Sequence, residues 1–144
     1  MLNFRLDPRS NFCLTGIAVR IAQRMGLNFD GTSYGLPPFE VEMRRRLWYQ
    51  IMFLDNRVSE LSGAGCSLLT YIWTTKPPLN VNDSDLFPEM KEIPRECEGI
   101  TEMVYVLQRC EVANLIQKLK TGAERTFAEK DREIEELRKR LCER

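Results

Sequence analysis

The residue types that most often carry out chemistry at neutral pH are sparse in this chain. Its 144 residues include no histidine, so neither a Ser-His-Asp triad, nor a Cys-His pair, nor a histidine-ligated zinc site can be built. The five cysteines, Cys13, Cys66, Cys97, Cys110 and Cys142, are 53, 31, 13 and 32 residues apart. No two of them have the close spacing of a zinc knuckle or a redox-active pair. We therefore predict no catalytic, cofactor-binding or metal-binding residues in this chain.

Three carboxylates remain as candidates for cation binding or acid catalysis. Asp83 and Asp85 form an acidic pair, and paired carboxylates can bind Mg²⁺ or Ca²⁺. The favoured interpretation is that this stretch, with Asn82, satisfies neighbouring backbone amides in turns. Asp55 lies four residues after Ile51, beside an apolar stripe, where an unpaired carboxylate would be costly. We predict that Asp55 is buried and paired with an arginine, the alternative being an acid that faces a ligand.

An arginine triplet and two tryptophans could also form a binding site. The triplet Arg44-Arg45-Arg46 could bind phosphate, but Glu40 and Glu42 precede its members by three or four residues. Ion pairs at that spacing within one helix can neutralise all three arginines, and we favour this structural role. Trp48 and Trp73 could line an apolar ligand cavity between helices, although such aromatic residues more often belong to a plain core.

Composition indicates one soluble globular domain. The chain is 43% hydrophobic and 29% charged, which is near the average for such proteins. Lys and Arg number 21 and so do Asp and Glu, so the chain lacks the positive excess that holds nucleic acid by its phosphates. No apolar run approaches the roughly 18 residues that span a bilayer, and no membrane association is expected. The odd cysteine count and the lack of a signal-peptide-like start predict a reducing compartment.

Helical spacing of apolar residues predicts an all-α fold. Apolar periodicity, with capping residues or proline before and glycine after, predicts four helices: 7–25, 38–61, 102 to about 120, and a charged tail within 123–144. The first is expected to open at Asp7-Pro8 and to end at Gly26, and the second to end at Gly63. Proline and turn residues predict connections over 27–38 and 74–99, and the apolar run 68–73 favours a short helix.

Apolar stripes predict the buried face of each helix. In the first helix the expected inward residues are Ile17, Ala18, Ile21, Ala22 and Met25. In the second they are Leu47, Ile51, Leu54, Val58 and Leu61, widened by Trp48 and Met52. In the third, which Thr101 is expected to cap, they are Val104, Leu107, Leu115, Ile116 and Leu119.

The sequence divides into a domain over 1–122 and a charged helical tail over 123–144. The tail carries seven acidic and seven basic residues around a thin apolar seam of Phe127, Ile134, Leu137 and Leu141. That seam is too narrow to stabilise an isolated helix. We expect the tail to be exposed, or to dock on a helix of the same or another chain.

Three blocks of sequence, in order, resemble a known family. They are 18–27 (AVRIAQRMGL), 39–55 (FEVEMRRRLWYQIMFLD) and 78–86 (PLNVNDSDL). Together they resemble the middle homology region of fungal zinc binuclear cluster transcription factors, over about residues 7–90. The resemblance implies structural rather than catalytic signature residues: Arg44, Arg45, Arg46, Trp48, Asp55, Asn82, Asp83 and Asp85.

The resemblance also implies a function. It indicates a helical regulatory domain, a fragment of a larger helical array, that modulates transcription in a nuclear factor. Zinc and DNA binding are then expected only in a six-cysteine cluster that this chain lacks, while protein partners, self-association or an effector remain open. Where many members have Gly-Arg-Pro, this chain reads Ser62-Gly63-Ala64-Gly65-Cys66. The alternative is a helical interaction module that has lost DNA binding, and an enzyme is less favoured.

Overall fold

Helices form most of the regular structure in the computed structural model, which describes residues 7–64, 73–121 and 126–142. The four α-helices are α1 (Pro8–Arg24), α2 (Pro38–Ser62), α3 (Val104–Thr121) and α4 (Phe127–Cys142). Two short 3₁₀ helices cover Gly31–Tyr34 and Asp83–Asp85. No strand occurs within the described ranges, and the all-α prediction is confirmed. The short helix predicted at 68–73 falls almost entirely outside the described residues.

Proline and glycine mark the ends of α1 and α2, as predicted. Pro8 and Pro38 occupy the first turns, where a missing N–H costs little because the first N–H groups of a helix have no helical partner. Gly63 ends α2 with a φ of 69°, in the left-handed region that glycine adopts without steric penalty. Gly26 follows α1 with a similar φ of 67°. Asp7 occupies the N-cap position of α1, as predicted, but its side chain makes no capping hydrogen bond.

The buried face of α1 differs from the predicted one. Ile17, Ile21 and Met25 are each 54% exposed, although they were expected to face inward. Ala22 is buried as predicted, and the other buried residues are also small: Thr15, Gly16 and Val19. Small side chains allow α1 to pack closely on α2, so the apolar row beside them is left facing solvent.

The buried face of α2 is also rotated from the predicted stripe. Leu47, Leu54 and Leu61 are exposed, whereas Trp48, Met52 and Val58 are buried as expected. The buried residues are Val41, Glu42, Arg45, Trp48, Tyr49, Met52, Phe53, Asp55, Val58 and Ser59. Aromatic rings bury more area than leucine side chains, and they determine which side of α2 faces the core.

The chain forms two compact units. One contains Met1–Pro78 with Leu86–Pro94, and the other contains Leu79–Asp85 with Arg95–Arg144. In the first unit α1 packs against α2, and in the second α3 packs against α4. The division into 1–122 and 123–144 remains a prediction. Within the described part of the chain, no helix is both long enough and apolar enough to span a bilayer.

The start of α3 is fixed by a threonine cap. The Thr101 hydroxyl accepts a hydrogen bond from the Met103 N–H at 3.1 Å and donates to the Asn80 side chain at 2.6 Å. This confirms the predicted cap, although the helix begins at Val104 rather than at 102. Among the predicted inward residues of α3, Ile116 is exposed, which is contrary to expectation. Among the α3 side chains that the structure describes, the buried ones are Cys110 and Ala113, since the smaller side chains fit the packed face. The side chain of Leu119, also predicted inward, lies outside this described part.

Hydrogen exchange should distinguish α4 from α2. The described residues of α4 bury Leu137 and leave Phe127 and Ile134 exposed, as a thin seam predicts. Amides within 127–142 should therefore exchange faster than those within 41–59, because opening α4 exposes little buried area. The measurement is exchange mass spectrometry on a sample that sedimentation shows to be monomeric. Equal protection of the two helices would place α4 in a stable core and contradict this expectation.

Candidate functional site

Buried charges in the first unit meet at Asp30, in the loop between α1 and α2. The Arg45 guanidinium of α2 donates through Nε to Asp30 Oδ2 at 2.8 Å and through Nη2 to Asp30 Oδ1 at 2.9 Å. The two side chains are only 6% and 4% exposed. Two parallel hydrogen bonds between a guanidinium and a carboxylate form the strongest type of protein ion pair. This pair therefore joins α2 firmly to the loop before it.

The same carboxylate also holds two backbone segments. Within the loop, the Thr32 N–H donates to Asp30 Oδ1 at 3.2 Å, so Asp30 caps the 3₁₀ helix Gly31–Tyr34. From the later chain, the Lys76 N–H donates to Asp30 Oδ2 at 3.0 Å. We refer to Asp30, Thr32, Arg45 and Lys76 as the Asp30 cluster. Both carboxylate oxygens accept hydrogen bonds from more than one donor, and the carboxylate connects the loop, α2 and the segment 74–76.

A second set of contacts supports the cluster from the same chain segments. The Thr75 hydroxyl donates to the Leu27 carbonyl at 2.6 Å. The Tyr49 hydroxyl, on the inner face of α2, lies 3.5 Å from the Thr75 carbonyl. Thr75, Leu27 and Tyr49 are all buried. These bonds satisfy polar groups that burial would otherwise leave without a partner.

Two buried ionisable groups have displaced pKa values. Burial alone would raise the pKa of Asp30, but hydrogen bonds from Arg45, Thr32 and the Lys76 amide outweigh it and hold that pKa well below its ordinary value of 3.8. In the second unit, burial raises the pKa of the Cys110 thiol to about 12. At neutral pH Asp30 is therefore ionised and Cys110 protonated. Neither is poised to exchange protons, so both groups suit a structural role.

Two members of the arginine triplet make the predicted pairs within α2. The Arg46 Nε donates to Glu42 Oε1 at 2.8 Å, and Glu42 itself is buried. The Arg44 Nη1 lies 3.9 Å from Glu40 Oε1, a longer and more exposed pair. The Arg44 Nη2 also donates to the Met25 carbonyl at 2.7 Å, at the end of α1. Arg44 therefore stabilises the last turn of α1, where carbonyl groups have no helical partner.

Arg45 is the member of the triplet that sequence reasoning assigned wrongly. It was expected to pair within its own helix, and its bidentate partner is Asp30. The position of Arg45 could have indicated a partner outside α2. Val41, Arg45 and Trp48 follow one another by four and three residues, which places them on one buried face. A charge on a buried face requires a buried counter-charge. Asp30 lies in the segment 27–38, which the sequence predicts only as a connection.

Two further signature residues, Trp48 and Asp55, lie in the core of the first unit. The Trp48 ring is 1% exposed, and its centroid is 6.4 Å from that of Trp73 at an angle of 60°. Such tilted aromatic contacts are typical of a packed core. Asp55 is fully buried, as predicted. Its pairing with an arginine stays a prediction.

The remaining signature residues, in the second unit, organise the loop before α3. Asp85 Oδ2 accepts from the Asn82 N–H at 3.1 Å, and Asn82 Oδ1 accepts from the Glu102 N–H at 3.4 Å. Glu102 in turn accepts from the Asp83 N–H at 3.1 Å. The Asp85 bond is a turn contact of the predicted kind. The bonds of Asn82 and Asp83 with Glu102 instead join segments 20 and 19 residues apart. Across the described ranges, no three Cys, Asp or Glu side chains are grouped so that they could hold a metal ion.

Sequence comparison identifies the family of the chain. The family model described as "Fungal specific transcription factor domain" matches residues 2–93, which include the whole Asp30 cluster and both α1 and α2. The chain belongs to this family. The resemblance seen in the sequence is confirmed, and the fungal transcription factor domain has the Asp30 cluster inside its matched region. No solved structure matches the chain significantly.

Relatives of this fungal transcription factor domain are regulators of transcription. The pyriculol/pyriculariol biosynthesis cluster transcription factor 1 of Pyricularia oryzae is 43% identical over 136 residues, covering 94% of this chain and 18% of that protein. The transcriptional regulator AacuB of Aspergillus aculeatus is 40% identical, covering 77% and 15%. The aurofusarin cluster transcription factor aurR2 of Gibberella zeae is 40% identical, covering 77% and 17%. The chain thus spans less than one fifth of the length of each.

Breaking the Asp30–Arg45 pair should destabilise the first unit strongly. Arg45→Met keeps the unbranched apolar stem of the side chain but leaves a buried carboxylate without its counter-charge, and such a loss costs about 3–5 kcal/mol. The matched control is Arg57→Gln, which removes an exposed pair with Glu60 and should cost less than about 1 kcal/mol. Urea denaturation followed by circular dichroism measures both. Equal effects of the two substitutions would show that the buried pair does not determine stability.

The pH dependence of stability should reveal the ionised state of Asp30. Its pKa is lower in the folded chain than in the unfolded chain, so the ionised carboxylate stabilises the fold above its ordinary pKa of 3.8. That contribution declines progressively as the pH falls below about 4. Asp30→Asn should therefore lose less stability over this range of pH than the wild-type chain does. Parallel curves for the two proteins would contradict the assignment.

Proposed function

We propose that this chain is a regulatory segment of a fungal nuclear transcription factor, and that it modulates transcription of a biosynthetic gene cluster. The observation that carries the proposal is the family match over residues 2–93, which covers α1, α2 and the Asp30 cluster. The names of the relatives from Pyricularia oryzae and Gibberella zeae, both cluster transcription factors, support the gene-cluster assignment. The nuclear location follows from this proposed role.

We assign DNA binding and zinc to a different part of the whole regulator. The equal numbers of basic and acidic residues give this chain no excess positive charge with which to hold DNA phosphates. Its cysteines lack the close spacing of a six-cysteine zinc cluster. The chain spans less than one fifth of its relatives, which leaves ample length for a separate DNA-binding cluster.

Within the regulator, the proposed role of the segment is non-enzymatic. The Asp30 carboxylate is occupied by hydrogen-bond donors from three chain segments, and it serves to position α2 rather than to transfer protons. A unit held by such a buried ion pair can present its outer surfaces to other proteins in a fixed arrangement. Regulation through protein contacts is the function that this geometry supports best.

A chimera in Pyricularia oryzae tests the proposal. The chain replaces the matching region of the pyriculol/pyriculariol regulator, and the readouts are transcripts of the cluster genes and nuclear fluorescence of a tagged protein. The chimera should accumulate in the nucleus and restore the transcripts that deletion of the region abolishes. The same chimera with Arg45→Met should lose this activity, whereas Arg57→Gln should keep it, because only the former breaks a buried pair.

Two outcomes would contradict the proposal. A chimera that reaches the nucleus at the wild-type level but leaves transcripts at the level of the deletion would favour the alternative, a helical interaction module that has lost DNA binding. If Arg45→Met leaves the activity of the chimera unchanged at equal protein abundance, the Asp30 cluster is not required for the transcriptional activity.

A further inference from the structure

The outward face of α1 combines an apolar row with a basic row. The apolar row is 53–54% exposed and consists of Leu14, Ile17, Ile21 and Met25. Steps of three or four residues place these side chains on one face of the helix. The basic row is also exposed and consists of Arg9, Arg20 and Arg24. These arginines lie along one edge of the apolar row, because Arg20 and Arg24 each immediately precede one of its members.

This outward face is not needed for the packing of the first unit. The opposite face of α1, which carries Thr15, Val19 and Ala22, is the buried one. Four large apolar side chains on one exposed face are more than the isolated surface residues that soluble proteins normally carry. A contiguous apolar surface of this kind, edged by polar groups, is typical of a binding site.

Charge determines which occupant fits. The sequence of α1 contains three arginines and no aspartate or glutamate. A second copy of the same face would bring arginines towards arginines, which is unfavourable. Nucleic acid would satisfy the arginines but would leave the apolar row facing phosphates and sugars. A helix with an apolar stripe edged by carboxylates satisfies both rows at once.

We propose that the outward face of α1 binds an acidic amphipathic helix from another polypeptide. The apolar stripe of that helix packs on Leu14, Ile17 and Ile21, and its carboxylates pair with Arg20 and Arg24. The 17 residues of α1 span about 25 Å, so a partner helix of similar length covers the face. This binding site is independent of the transcriptional role proposed above.

The exposed leucines of α2 provide a useful contrast. Leu47, Leu54 and Leu61 also lie on one helix face, seven residues apart. Their charged neighbours Arg57 and Glu60 pair with each other at 3.2 Å. Because that face carries both signs of charge, it selects no particular partner. It therefore serves as the matched control surface.

Two synthetic peptides test the proposal on the full 144-residue chain. The first is a helix with leucines at alternating three- and four-residue steps and glutamates along the edge, and the second has lysines in place of the glutamates. Fluorescence anisotropy should show that the acidic peptide binds at least about tenfold more tightly than the basic one. Added salt should reduce this difference, because the charges lie at the surface.

Charge reversal on α1 should invert the preference. Arg20→Glu with Arg24→Glu should favour the basic peptide, whereas Ile17→Gln with Ile21→Gln should weaken both complexes. The control, Leu54→Gln with Arg57→Glu on α2, should leave both affinities unchanged. All positions are exposed, and circular dichroism checks that each variant folds.

Bound acidic peptide should also protect Cys13, on the basic edge of α1, from alkylation while exposed Cys97 still reacts.

Four outcomes would overturn the proposal. The first is that neither peptide binds, and the second is that both peptides bind the wild-type chain equally well. The third is that vesicles containing phosphatidylserine bind the chain through the outward face of α1 while the acidic peptide does not, which would indicate an anionic membrane surface. The fourth is self-association in sedimentation that Ile17→Gln abolishes, which would indicate a second copy as the occupant.

Discussion

The arrangement of the first unit depends on one ion pair that is removed from water, between Asp30 and Arg45. Either charge alone in the interior would cost several kcal/mol, so each residue is tolerable only where the other meets it in good geometry. The Asp30 carboxylate also accepts the Thr32 and Lys76 amides. These donors come from separate chain segments. In the folded unit, one carboxylate therefore holds the loop, α2 and the residues after 73.

Local sequence features predicted the helix ends well, but not the helix faces. Proline before and glycine after a helix act within a few residues, and the structure has α1 and α2 within one residue of the predicted ends. The choice of face depends on distant contacts. Apolarity alone selected Leu47 and Leu54 on α2, whereas the core accepts Arg45 because Asp30 neutralises it. The aromatic rings of Trp48 and Tyr49 complete that face.

The same distinction applies to the candidate site. The Arg46–Glu42 pair joins neighbours on one helix, so spacing alone predicted it. The partner of Arg45 lies in another element, and no helical spacing points to it. The family resemblance identified Arg45 as a signature residue before any contact was known, but a resemblance supplies no partner. The bond from the Asn82 amide to Asp85 lies within a turn, so the residue types alone indicated it. The contacts of Asn82 and Asp83 with Glu102 span 20 and 19 residues, and no local pattern pointed to them.

The hydrogen bonds of Asp30 differ greatly in sequence separation, and this has a consequence for the order of folding. Thr32 is 2 residues away, Arg45 is 15 and Lys76 is 46. The entropy cost of closing a loop grows with its length, and short-range contacts form faster. We therefore expect the α1–α2 hairpin, with the ion pair inside it, to form before the contact with the Lys76 amide. A nascent chain that has left the ribosome only as far as the end of α2 already contains both charges of the pair, but not the Lys76 amide.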